Sequence, residues 1–144
     1  MHNKKGFTLI EMLVVIAIIA VLVSIVIPTI NSSTAKAKAA ADAANLRTVL
    51  GQLNVFVASG EKSVQEIIDA SAHPTSEVDP NAKLYAVFEA PGFVDVFYIN
   101  GSICYSIDYM AEMAEHGPDS PKLAEIGTTK PTIAGGTWYE VSVG

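Results

Sequence analysis

The chain has 144 residues, 15.2 kDa, with half of its residues hydrophobic, a mean hydropathy of +0.36 and a net charge of −6. Residues 1–30 hold 20 of the hydrophobic residues. The remainder has ordinary globular composition, which points to an apolar segment joined to one soluble domain and excludes a polytopic membrane protein, a disordered chain and a plain cytosolic enzyme. The acidic balance disfavours binding to nucleic-acid backbones. A single cysteine, Cys104, excludes a disulfide within the chain, so the domain must be held by its core.

The chain opens with Lys4 and Lys5, then Gly6-Phe7-Thr8-Leu9-Ile10-Glu11, and from Met12 to Val23 every residue is apolar. Ser24 interrupts the run, which continues to Pro28 and Ile30. As a helix, residues 7–30 would measure about 36 Å, enough to span a hydrocarbon core of roughly 30 Å. The lysines predict that the N-terminal side stays in the cytoplasm. A secretory signal would carry a shorter apolar stretch and a small-residue cleavage site, whereas this one runs into Ile25-Val26-Ile27-Pro28-Thr29. An uncleaved signal anchor fits the length equally well. Glu11 is the exception in this segment: a carboxylate in an apolar helix is costly unless it stays in the headgroup layer or meets a cation from another chain.

The run Lys4-Lys5-Gly6-Phe7-Thr8-Leu9-Ile10-Glu11, followed by apolar residues to Pro28, resembles the N-terminus of a type IV pilin or pseudopilin. The resemblance is tight over residues 4–30 and loose to about 58. It implies cleavage by a prepilin peptidase between Gly6 and Phe7 and N-methylation of the Phe7 amine. It also implies pairing of Glu11 with the Phe7 amine of a neighbouring subunit, in a helical homo-oligomer assembled by membrane-bound pilus machinery. No cofactor, metal or enzymatic activity follows from it. The implied localisation is the cytoplasmic membrane as a single-pass protein, then a surface filament. Type II secretion and DNA-uptake pseudopili remain alternatives, and an anchored binding domain is a rival of another class. Many family members carry a glycine in mid-helix, where this chain has Ile18-Ile19-Ala20-Val21. Pro28 lacks an N–H and crowds the carbonyl of Ser24, which predicts a kink there.

Asn31 to Thr34 are polar, and the alanine-rich stretch that follows favours helix. Leu46, Val49, Leu50, Leu53 and Val57 recur at helical spacing, with Lys36, Lys38, Asp42 and Arg47 on the remaining surface and Gly60 as a stop. The expected organisation is a leader over 1–6, an assembly helix over 7–30, and a soluble domain over 31–144. Within that domain an amphipathic helix covers 31–58, a variable region 60–92, and an antiparallel sheet with a loop 93–144. Joined without a hinge at 28–34, residues 7–58 would form a helix about 78 Å long. The fold class is α+β, with the helix on a sheet of three to four strands.

Ser63-Val64-Gln65-Glu66 is a capping box and predicts a short helix over 64–71. Asp79-Pro80 reads as a second helix start, and residues 84–89 fit either its helix, the reading preferred here, or a strand. Residues 93–99 and 102–109 read as two strands joined at Asn100-Gly101, and 137–143 as a third. Between them, 110–134 reads as a long loop with one short helix. Glu112 and His116 stand at i, i+4, but a metal site needs more ligands. Asp108, Glu112, Glu115, Asp119 and Glu125 lack the alternation of a calcium loop. His2 lies in the leader and His73 before a proline, Cys104 reads as a core residue, and Asn31 and Asn100 head N-x-Ser triplets.

Overall fold

The computed structural model describes residues 6–60 and 63–141. The chain divides into two compact units after Thr34. Helix α1, Leu9–Ala58, is assigned as helix without a break through Pro28. Ser24 and Thr29, which flank the proline, turn their hydroxyls back onto the carbonyls of Val21 and Ile25, at 2.7 and 3.4 Å. Both therefore meet their polar needs within the helix rather than in solvent.

In the second unit, Ala39, Ala43, Leu46, Val49 and Leu53 of α1 are buried, as the helical spacing predicts. Asp42 is a correction: it belongs to the same buried face, at 0% exposure, and not to the polar surface. Its carboxylate accepts hydrogen bonds from the Ser76 hydroxyl at 2.6 Å and from the N–H groups of Glu77 and Val78 at 2.7 and 3.0 Å. Lys36, Lys38 and Arg47 remain on the accessible side. Helix α1 ends just before Gly60, whose φ of 75° suits a residue without a Cβ.

Helix α2, Val64–Ala70, is capped as its sequence predicts. Glu66 N–H donates to the Ser63 hydroxyl, and Ser63 N–H donates to the Glu66 carboxylate at 2.8 Å. The segment expected to be a second helix is strand β1, Lys83–Glu89. Asp79-Pro80 opens a turn instead: Ala82 N–H donates to the Asp79 carbonyl at 2.9 Å, and Asn81 N–H to the Asp79 side chain at 3.2 Å. Proline at the second turn position has the same fixed φ as at a helix start, so both readings begin alike. The alternation after it decides for a strand, with Leu84 and Ala86 facing the main core and Val87 the other side.

Strand β2, Gly92–Asn100, pairs antiparallel with β1, with a bulge opposite Val87/Phe88. The hairpin forms one residue beyond the expected Asn100-Gly101 pair: Asn100 pairs with Ile103, and Gly101, at φ 59°, and Ser102 turn the chain into β3, Ile103–Tyr105. The expected second strand is shorter than its sequence run. Ser106 accepts from Tyr109 N–H at 3.1 Å and starts helix α3, Ile107–His116, so Ile107, Asp108 and Tyr109 are helical. The expected long loop therefore holds most of α3 and also α4, Lys122–Ile126. Strand β4, Thr137–Glu140, pairs antiparallel with β1, giving sheet order β3-β2-β1-β4.

The main core lies between α1 and one sheet face, where Leu46, Val49 and Leu53 meet Leu84, Ala86, Phe93, Val96 and Tyr98. Asn54 ties helix to sheet like an extra strand residue. Its amide donates to the Phe93 carbonyl at 3.0 Å and accepts from Phe93 N–H at 2.9 Å. The fold is α+β, a long N-terminal helix packed on a four-stranded antiparallel sheet.

Candidate assembly and processing segment

Gly6 and Phe7 precede α1, and the Phe7 side chain is 81% exposed. Thr8 holds the cap position and Glu11 the first turn. Thr8 N–H donates to Glu11 Oε2 at 3.0 Å, and Glu11 N–H donates to Thr8 Oγ1 at 3.3 Å. This is a reciprocal cap of the same kind as that at Ser63. The motif Thr8-x-x-Glu11 ahead of an apolar run announces it in the sequence, and it gives Glu11 a local partner besides the headgroup layer or the neighbouring chain expected for it. The cap places the carboxylate at the positive end of the helix dipole. Among the described residues it has no cationic partner.

From Leu9 to Ile30 the large apolar side chains of α1 are exposed on every side, and the helix contains a stretch long and apolar enough to cross a bilayer. A helix apolar all round requires lipid or other helices around it. Pro28 lies inside this helix.

The remaining candidates sit in the soluble unit. Glu112 Oε1 lies 3.0 Å from His116 Nδ1 and accepts from the Ser120 hydroxyl at 2.6 Å, bracing the end of α3. The Ser120 bond is the main reason the Glu112 carboxyl is held below its ordinary range, with His116 and Lys122 adding to it. Among the described residues, no three His, Cys, Asp or Glu side chains come together to hold a metal ion. Cys104 is buried, and burial pushes its thiol up to about 11, which makes it a packing residue rather than a nucleophile. Asn100 donates its side-chain amide to Asp79 at 3.0 Å. His2 lies outside the described residues.

The basic leader, the glycine against a phenylalanine, the first-turn glutamate and the apolar helix are similar to the N-terminal segment of type IV pilins and pseudopilins. Residues 1–27 match the family model described as the prokaryotic N-terminal methylation motif. The chain is also 54% identical over 37 residues to the type IV wide pilus major component PilA4 of Thermus thermophilus. That match covers 26% of this chain and 28% of the relative. No solved structure matches the chain significantly. The motif and the relative support a structural subunit of the pilin or pseudopilin kind.

Proposed function

We propose that this chain is a pilin, cut by a prepilin peptidase between Gly6 and Phe7 and N-methylated on the Phe7 amine. Residues 1–6 are the leader that is removed. Residues 7–30 hold the subunit in the cytoplasmic membrane, and copies of the chain then assemble through this helix into a type IV pilus-like surface filament. The observation that carries the reading is Glu11 in the first turn of a helix that is otherwise apolar and exposed on all sides. In the single subunit Thr8 N–H is its hydrogen-bond donor. Cleavage creates an ammonium at Phe7, and a buried carboxylate and ammonium that are each costly alone become tolerable as a pair between neighbours. Processing thereby licenses assembly. The same segment would serve a secretion or uptake pseudopilus; the relative, a wide pilus component, favours the pilus.

The test is expression of the full chain with a prepilin peptidase, with mass spectrometry of the mature N-terminus and measurement of filament protein sheared from cells. Wild type is expected to begin at a methylated Phe7 and Gly6→Val to remain uncut. Glu11→Ala is expected to insert in the membrane and be processed, yet yield few filaments, with Glu11→Asp intermediate. An orphaned ammonium costs about 3–5 kcal/mol where burial is complete, enough to abort subunit addition. Normal filament yield from Glu11→Ala would refute the pairing, and equal processing of Gly6→Val would refute the cleavage.

A further inference from the structure

The sheet order β3-β2-β1-β4 places β3 and β4 on opposite edges, so the chain must cross the sheet between them. Segment 127–136 makes that crossing on the face turned away from α1. There it covers a second apolar cluster of Val87, Phe97 and Cys104, flanked by Ile99, Ile133 and Trp138 and separate from the main core. Its attachments are few. The Thr128 carbonyl accepts from Cys104 N–H at 2.7 Å, Ile133 packs half-buried on the cluster, Gly136 at the strap's end lies close against Val87, and the Lys130 ammonium lies 4.3 Å from the centre of the Trp138 ring. Lys130, Pro131, Thr132 and Ala134 are exposed. Gly127 and Gly135, at φ of 73° and 75°, stand at its two ends. They are residues able to take up a change of backbone direction without a Cβ clash.

We propose that segment 127–136 is a hinged strap that opens as a unit while the main core stays folded, baring the Cys104 thiol and the apolar sheet face around it. Opening detaches contacts on one face only. The α1 side of the sheet, with Tyr98, Val96 and Leu84, loses nothing. Units that share so little with the rest of a fold open at a lower free energy than global unfolding. With the strap closed, the thiol is 3% exposed and its high pKa keeps it protonated and inert. With the strap open it regains water and ordinary thiol chemistry. The strap thus makes the outer sheet face a surface that appears only on opening.

The test uses the full chain in detergent micelles with an aromatic disulfide reagent. The Cys104 thiol loses its proton to buffer, and its thiolate attacks the reagent's S–S bond. A mixed disulfide forms, and one coloured aromatic thiolate leaves and is counted. The labelling rate is measured across urea concentrations below global unfolding, and hydrogen exchange compares the Cys104 amide with that of Tyr98. Labelling is expected without urea and with little dependence on it, and the Cys104 amide is expected to exchange faster than Tyr98. Ile133→Ala should raise labelling roughly tenfold while the Tyr98 amide keeps its protection. Lys130→Gln, which alters only an exposed contact, should raise it less. Labelling with the full urea dependence of global unfolding, or Cys104 and Tyr98 amides that exchange together, would overturn the proposal whether or not Ile133→Ala folds.

Discussion

Asp42→Ala is expected to destabilise the soluble unit more than any loss of an exposed charge could. The carboxylate is fully buried on α1 and is the acceptor for three donors from segment 76–78. Among the described residues no buried side-chain polar atom lacks a partner, so this clamp belongs to a fully satisfied interior. Alanine leaves the Ser76 hydroxyl, 2% exposed, without its acceptor, at a cost of about 1–3 kcal/mol. The Glu77 and Val78 N–H groups lie nearer the surface and can partly turn to water, so they add roughly 1 kcal/mol between them. Relief from burying a charge offsets some of this. The net expectation is about 2 kcal/mol. With a urea slope of about 2 kcal/mol per molar for a domain of this size, the midpoint should fall by about 1 M. Asp42→Asn keeps the shape but turns an NH₂ toward donors, so it should lie between alanine and wild type. The assay is urea unfolding of residues 31–144 followed by far-UV circular dichroism. A shift in midpoint below about 0.25 M for alanine, equivalent to roughly 0.5 kcal/mol, would show that the clamp contributes nothing and that segment 72–79 is held by its apolar contacts alone.

That shortened chain, starting at Asn31, is itself expected to fold cooperatively and to keep its unfolding midpoint in chelator; loss of structure on chelation would reveal a metal site. Gly136→Ala should cost about 1–3 kcal/mol by overpacking. An added Cβ would lie 2.8 Å from Val87 Cγ1 and 3.2 Å from the Ile133 carbonyl, and thermal unfolding of the variant measures the effect. Burial pushes the Tyr98 phenol up to about 12, with Asp42 adding to the shift. The folded state therefore holds its proton after the unfolded chain has lost it. Stability contributed by this group is complete below about pH 10 and is lost as pH rises toward 12. Tyr98→Phe should be less stable at neutral pH, since it loses the 3.2 Å bond to the Pro74 carbonyl, but its stability should fall less between pH 9 and 11. Equal alkaline losses in both proteins would refute the assignment.

The parts of this fold that sequence reveals are those whose determinants lie within a turn or two of each other. The Ser63 cap, the hairpin between β2 and β3 and the apolar stripe of α1 are all of this kind. Two of the misread parts, β1 and Asp42, turn on partners distant in sequence. Asp79-Pro80 is equally good as a helix start and as a turn, and the choice falls to β1 because β2 and β4 supply its hydrogen-bonding edges on both sides. Asp42 looks like any surface acid until segment 76–78, more than thirty residues on, folds over it with three donors. Residues 102–109 have strand composition throughout, yet only Ile103–Tyr105 pair with β2. Ser106 then offers a cap to Tyr109 N–H, and the local hydrogen bond ends the ladder. The Thr8–Glu11 cap is local and legible in the spacing Thr8-x-x-Glu11 ahead of an apolar run. It bears on the function proposed here. If Glu11 leaves a local cap to meet a neighbour's ammonium, assembly replaces a hydrogen bond from Thr8 N–H with a charged pair. The driving force is then the difference between the two, not the full cost of burying a bare carboxylate.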